Sequence, residues 1–279
     1  MVNELNKEKK SVRSLESRDF FDEDLKAFLL EKADHFETLD FVADDPISVP
    51  HRYRNPRDIE LAGFIAASLA WGQRKTILKN ALRFLERMDE SPYDYLLQAT
   101  DREIEVTSAG FVHRTFQPRD AKVFLHALQE LLSEFNTLEA AFIPRESSPT
   151  VQRHLEIFNE RFFEAAQRRG FEAGRTRKHV ATPAKASASK RLNMFLRWMV
   201  RPASRGVDFG IWKQIKTHQL MIPLDVHTGN VARKLGLLHR NTNDWKAVEE
   251  LMIPLRMVDE QDPVRLDFAL FGLGAIEGF

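Results

Sequence analysis

The sequence predicts a mainly α-helical fold. Three observations carry that reading. Apolar residues recur at three- and four-residue spacing along most of the chain, Pro, Thr and Asp stand where helices would start and Gly where they would stop, and alternating apolar–polar runs are scarce. The best alternating stretch, Ile104-Glu105-Val106, is only three residues long.

Taken in order, residues 19–39 place Phe20, Phe21, Leu25, Phe28, Leu29 and Phe36 at helical spacing, and Asp44-Asp45-Pro46 ends that helix. Val49-Pro50 and Asn55-Pro56 make an extended link, because the residue before a proline is pushed out of the helical region. Pro56 opens a helix whose Ile59, Ala62, Gly63, Ala66, Leu69 and Ala70 form a small-residue face suited to close packing, and Gly72 closes it. Thr76 caps the next helix, through Ile77, Ala81, Leu82, Leu85 and Met88. Pro118 opens another, with Val123, Phe124, Ala127, Leu128, Leu131 and Leu132 as its buried stripe.

Residues 138–143 form a short amphipathic piece, and 151–166 a helix carrying Leu155, Phe158, Phe162 and Phe163. The stretch 170–183 bears Gly, Pro and basic residues and reads as a loop. Residues 187–200 and 212–218 read as helices. Pro223-Leu224-Asp225 introduces a helix to Leu235, ended by Gly236; Asp244 caps one to Leu255; Asp262-Pro263 opens the last, to Phe271.

The 279 residues suit one large domain or two intimate ones. Residues 1–45 read as an N-terminal helical extension and 46–279 as the main helical domain. With 21 Phe and 4 Trp against 3 Tyr, the interior is expected to be strongly apolar and aromatic. The absence of cysteine excludes disulfides, a cysteine nucleophile, cysteine-ligated zinc and a cysteine-held iron–sulfur cluster. No apolar run approaches the roughly 20 residues that span a bilayer, and the charged start MVNELNKEKKSVRSLE lacks a signal peptide's apolar core. A cytoplasmic protein without a membrane partner, metal or cofactor is expected.

Formal charge is balanced, 41 Lys+Arg against 41 Asp+Glu, which by itself argues against a nucleic-acid partner. The distribution reverses that argument. Residues 168–216 hold thirteen Lys and Arg and two acids, Glu172 and Asp208, so one +11 segment sits in an acidic remainder. Small and aromatic residues interleave with these cations, as in a groove facing a polyanion, although a solvated basic surface has the same composition.

Two stretches stand out: Ser187-Ala188-Ser189-Lys190-Arg191-Leu192-Asn193, and Pro223-Leu224-Asp225-Val226-His227-Thr228 continuing to Val231-Ala232-Arg233-Lys234-Leu235-Gly236-Leu237. The second resembles the "VDTHV…R…RLGL" signature of the helix–hairpin–helix DNA glycosylases of the endonuclease III and 8-oxoguanine glycosylase type. The first is similar to that superfamily's helix start bearing a catalytic lysine. Residues 58–88, with Trp71-Gly72-Gln73, resemble its N-terminal helix pair, where a Gln inserts into the duplex. Over nearly its full length the chain resembles an uncharacterised bacterial family (domain of unknown function 2400) whose members end in "DFALFGLG", here Asp267 to Gly274.

The resemblance implies a two-lobed helical glycosylase-like fold with the cleft between the lobes and DNA as partner, RNA remaining open. It assigns Asp225 the carboxylate that stabilises positive charge on a sugar, and Lys190 the amine that attacks C1′. Gln73, Arg114, Arg191, Arg197 and His227 become candidate nucleic-acid contacts. Each residue also has a plainer reading. Asp225 is where a helix N-cap belongs, Lys190 could contact phosphate or solvent, and Gln73 is a loop residue. His227 reads more readily as a buried hydrogen-bonding residue against the Lys190 helix than as a general base. Arg114 suits a structural salt bridge, and Trp71 and Trp198 suit the core.

Two departures stand beside the resemblance. The superfamily's "LPGVG" hairpin has no match before Lys190, where residues 186–189 lack glycine, so the hairpin is modified or missing. Lys190 and Asp225 are 35 positions apart, farther than is usual in that superfamily. A non-catalytic nucleic-acid-binding protein on the same scaffold, and a helical interaction module, are the alternatives. The Phe271-Gly272-Leu273-Gly274 turn reads as C-terminal packing.

Overall fold

The computed structural model describes residues 23–279, so positions 19–22 of the first expected helix and the start of the N-terminal extension lie outside the described residues. The described chain is helix and turn. Its two extended contacts are isolated bridges, His113–Phe116 and Ser187–Asp244.

Helix α1 (Glu23–Phe36) is followed by the short α2 (Leu39–Asp44). The link to the next helix is not extended: it coils into 3-10 turns at Pro46–Ser48 and Pro50–Arg52, the first capped by Asp45, whose Oδ1 accepts from Ile47 N–H at 3.1 Å. Pro at the first position of each turn supplies the required φ. Helix α3 (Pro56–Leu69) is capped by Asn55 and buried along almost its whole length. Helix α4 (Arg74–Glu86) starts two residues before the expected Thr76 cap, with Gln73 as its N-cap residue.

Helices α5 (Pro92–Gln98) and α6 (Asp101–Ser108) follow. The one strand-like stretch, Ile104-Glu105-Val106, lies inside α6. The capping box of Thr100 and Glu103 starts a helix there and overrides the local alternation. Helices α7 (Pro118–Phe135), α8 (Leu138–Phe142) and α9 (Gln152–Arg168) match the expected series closely.

The expected loop 170–183 contains a 3-10 turn, Gly174–His179. Helix α10 (Lys190–Val200) then begins at the candidate lysine. The helix expected over 212–218 does not form, apart from a 3-10 turn at Thr217–Gln219. The stretch is held to its neighbours instead: Trp212 N–H donates to the Met199 carbonyl at 2.9 Å, and the N–H groups of Lys213 and Gln214 both donate to Glu139 Oε1, at 2.7 and 2.6 Å. Helix α11 (Val226–Lys234) is capped by Asp225 and α12 (Trp245–Val258) by Asp244. After a 3-10 turn at Pro263–Arg265, α13 (Leu266–Ala275) completes the described chain.

Phenylalanines fill the core. Phe64 of α3 meets Phe158 of α9 and Phe195 of α10, with ring centroids 5.4 and 5.6 Å apart, and Phe142 of α8 stacks on Phe158 at 3.8 Å. The small-residue face of α3 brings α10 close: a Cβ on Gly63 would stand 3.0 Å from Met199 Cε. Trp198 is fully buried, as expected. The C-terminal glycines are packing positions too. Phe36 of α1 occupies the space a side chain at Gly272 would need, and a Cβ at Gly274 would stand 2.9 Å from Val231 and 3.1 Å from the His227 carbonyl oxygen on α11.

A buried ion network ties these helices together. Arg201 donates to Asp208 at 2.5 Å and to Asp262 and Glu37 at 2.8 Å, while Arg197 donates to Asp267 at 2.7 Å. Arg197 is 3% exposed, so the expectation that it contacts nucleic acid is corrected: its guanidinium neutralises Asp208 and Asp267 and has no surface to offer a ligand.

Candidate functional site

The +11 segment divides in the folded molecule. Six of its thirteen cations meet carboxylates from other parts of the chain: Arg168, Arg169, Arg175, Arg197, Arg201 and Arg205. Much of the sequence-level excess is therefore structural. Three of the remainder, Lys178, Lys190 and Arg191, line a single cleft of about 910 Å³ and have no carboxylate partner among the described residues; Arg74 joins them there. A cleft of this size accommodates a small molecule or one nucleoside.

Lys190 is the first residue of α10, entered by a turn of unusual backbone: Ala186 and Ser189 both have positive φ, 57° and 48°. Neither is glycine, so each is held there against its steric preference. The turn is fixed by Trp245 N–H donating to the Ala186 carbonyl at 3.1 Å and Ser189 N–H donating to Ser187 Oγ at 3.1 Å. Lys190 Nζ donates to Met194 Sδ, at 3.4 Å.

Asp225 is the N-cap of α11, with Oδ1 accepting from Thr228 N–H at 3.0 Å. The plainer reading of this residue is thus present, and it uses one carboxylate oxygen. Oδ2 has no hydrogen-bond partner among the described residues. The cap is braced from behind: Asn243 Nδ2 donates to the Asp225 carbonyl at 2.9 Å, and Arg233 Nη2 donates to Asn243 Oδ1 at 2.6 Å. Gly229 leaves room for that Asn243 side chain. Arg233, part of the motif, therefore supports the cap without facing the cleft.

Lys190 and Asp225 both line the cleft. Buried Asp267 lies within electrostatic reach of both: burial and the Asp225 charge push its carboxyl up to about 6, while Arg197 and Lys190 act the other way. Asp45, on the cleft wall, is also raised by burial, against the Ile47 N–H and the charges of Arg197, Lys190 and Arg74.

Arg191 donates to the carbonyls of Ser68 and, at 3.0 Å, of Lys178, and its guanidinium lies 4.8 Å from the Trp71 ring centroid. Burial brings its pKa down to about 10. Trp71 is part of the cleft wall rather than core, held edge-on by His113 at 4.7 Å and tilted against His179 at 5.4 Å. His227 is exposed and lines the cleft beside Phe271, at 6.2 Å, which corrects the expectation that it is buried. Its place in the first turn of a helix whose N-terminus opens outward leaves the imidazole in solvent.

Gln73 is exposed beside cleft residues Gly72 and Arg74. Arg114 is exposed at φ 53°, and its side chain lies over Gly72. No carboxylate pairs with Arg114 among the described residues, so the salt bridge considered for it does not form. His179, Asp120 and Lys178 are additions to the candidates. Their signal in the sequence is weak, because His179 and Lys178 sit in a stretch that reads as loop and Asp120 looks like an ordinary first-turn acid.

Fold and cleft define an all-helical protein with a cationic, partly apolar cleft, and no described helix is long and apolar enough to cross a membrane. The chain matches, over residues 45–276, the family described as Protein of unknown function (DUF2400), and it belongs to that family. No curated protein and no solved structure matches it.

Proposed function

We propose that the chain is a nucleic-acid repair protein that cleaves the N-glycosidic bond of a damaged base flipped into the cleft, with the cleft lying between two helical lobes. One observation carries this reading: Lys190 and Asp225, on separate helices, open on one cavity whose cations have no carboxylate partners. In this reading the C1′–N bond breaks with its electron pair leaving on the base, and Asp225 stabilises the positive charge left on the sugar. The amine of Lys190 attacks C1′ with its lone pair, gives up a proton to solvent and, on ring opening, forms the Schiff base from which strand cleavage follows. Phosphates fit beside Arg191, Lys178 and Arg74.

Duplexes each bearing one altered base, incubated with the full chain and treated with borohydride, test the proposal. Base release and an adduct lost in Lys190→Gln are expected. Absence of release from every duplex in the panel would overturn it.

A second reading, a binder without catalysis, draws on the turn at Ala186 and Ser189, which approaches Lys190 without a glycine. Salt-dependent binding that survives Asp225→Asn, with no release, selects it.

A further inference from the structure

The cationic lining of the cleft does not end at Lys178. A second hollow of about 350 Å³ adjoins the cleft, and Lys178, Ala181 and Ser187 line both. Arg177 and Lys185 complete its cationic wall, and no carboxylate lines it among the described residues. The six ion-paired cations of residues 168–216 leave seven without a carboxylate partner among the described residues. Lys213 and Lys216 donate instead to the backbone carbonyls of Gly210 and Lys213. The other five, Arg177, Lys178, Lys185, Lys190 and Arg191, all line these two hollows. Charges of one sign around connected cavities repel one another, and a bound anion relieves that repulsion.

The ridge between the hollows is pinned at both ends. Buried Asn159 donates from Nδ2 to the Val180 carbonyl at 2.5 Å, and Trp245 N–H holds the Ala186 carbonyl at 3.1 Å. Between these points buried Thr182 caps the 3-10 turn Pro183–Lys185, its Oγ1 accepting from Ala184 N–H at 3.4 Å, so Lys185 stands on a fixed turn. Arg177 belongs to the 3-10 turn Gly174–His179, and its guanidinium lies over the Phe163 ring, 4.8 Å from the centroid. A guanidinium resting on a ring keeps its in-plane N–H groups for an anion. Ser187 Oγ accepts from Ser189 N–H, which leaves the hydroxyl hydrogen to donate on the ridge itself. Cations carried on a fixed frame lose less conformational freedom when a ligand arrives.

A nucleotide in the cleft belongs to a strand whose neighbouring phosphates need a path out. Elsewhere the cleft is lined by apolar Leu224, Val226 and Phe271 or by the carboxyls of Asp45 and Asp225, none of which favours a phosphate. Beyond Arg177 a third hollow is lined by Glu172, and the run of unpaired cations stops there. We propose that the hollow at Arg177 and Lys185 seats the phosphodiester backbone adjoining the flipped nucleotide, which crosses the ridge at Ala181 and Ser187. That the strand carries a flipped, damaged base rests on the glycosidic reading above; the track adds that recognition extends beyond one nucleotide and in which direction. Its contacts are to phosphate, so it holds a strand whatever its base sequence.

Fluorescence anisotropy of the full chain across a salt series tests the track with two single-stranded probes, each holding one tetrahydrofuran abasic nucleotide. The long probe extends several nucleotides to both sides; the short probe keeps only the phosphates flanking the abasic sugar. Neither requires a cleavage step. The wild-type chain is expected to bind the long probe about tenfold more tightly than the short one, with a steeper salt dependence. In the Arg177→Met, Lys185→Met double variant that advantage is expected to vanish. The slope of log affinity against log salt on the long probe should fall by about 1.4, two phosphate contacts at about 0.7 each. Lys185→Glu alone changes an exposed side chain, keeps the Arg177 contact with Phe163, and is expected to weaken the long probe selectively. No preference for the long probe in the wild-type chain, or preference and slope retained in both variants, overturns the proposal. Base release from altered-base duplexes is scored separately. Release by a chain whose variants keep the full slope removes the track and leaves the glycosidic reading standing. A track without release from any duplex removes the glycosidic reading and leaves the track.

Discussion

The guanidinium of Arg191 lies 4.8 Å from the centre of the Trp71 ring, and no carboxylate among the described residues neutralises it. Backbone carbonyls of Ser68 and Lys178 take two of its donors. An arginine kept charged without an ionic partner pays a desolvation cost that an anion in the cleft would offset. Arg191→Met is therefore expected to weaken binding of a short nucleic acid and to reduce the slope of log affinity against log salt by about 1. Fluorescence anisotropy across a salt series measures it; an unchanged slope shows that Arg191 meets no phosphate.

Asp225 combines a cap with a free carboxylate oxygen, and substitution separates the two. Asn caps a helix as well as Asp does, so Asp225→Asn should leave the Tm nearly unchanged, whereas Asp225→Ala should cost about 1 kcal/mol. If Asp225 acts through its charge, Asn and Ala abolish base release alike. Release that tracks the Tm instead would assign the residue to the cap.

Arg197→Met is predicted to act on stability. It leaves Asp208 and Asp267 buried without the cation between them, a loss of about 3–5 kcal/mol. Denaturant unfolding measures the loss. A stable Arg197→Met chain with weakened nucleic-acid binding would restore the role that burial removes.

Gly272→Ala places a methyl group where the Phe36 ring now lies, and overpacking of this kind costs about 1–3 kcal/mol. Combining it with Phe36→Ala should recover part of that cost, because the two positions compete for one volume. Thermal unfolding of the single and double variants tests the contact.

Two of the shifted carboxyls, Asp120 and Asp267, give opposite pH dependences. Asp120, held at about 2 against an ordinary value of 3.8, contributes stability that is present above about pH 4 and lost as pH falls towards 2. Asp267, raised to about 6 by burial first and the Asp225 charge, binds its proton more tightly when folded, so its contribution is present below about pH 4 and lost as pH rises through 6. Unfolding free energies across pH 2–8 for Asp120→Asn should differ from wild type least at the acid end.

Most helices were legible because their apolar faces and caps are local signals. Asp225 and Asp244 stand at the caps that the sequence places there. What failed was decided at a distance. Residues 212–218 carry a helical pattern, but bonds from Trp212 N–H to the Met199 carbonyl and from Lys213 and Gln214 N–H to Glu139 hold the stretch to distant elements on another path. Conversely, α5 and α6 are short, and the strength of the Thr100–Glu103 cap outweighs a three-residue alternation. At the site, Lys190 and Asp225 both line one cleft, while much of the charge excess around Lys190 is taken up in ion pairs. Pairing of Arg168, Arg169, Arg201 and Arg205 with acids far along the chain cannot be read from a running sum. The Asp120–His179 pair spans 59 positions and carries no periodicity at all.

The seat of Phe36 at Gly272 also bears on how the molecule is made. During synthesis α1 leaves the ribosome before the helix that receives it exists, and more than 200 residues must follow before Gly272 emerges. Contacts of such separation form late, after the entropy of closing a long loop has been met. Until then the apolar face of α1 is exposed on the nascent chain, a point at which chaperone binding and folding compete. The contact that joins the first described helix to the last is thus a checkpoint: it closes only on a chain translated through α13.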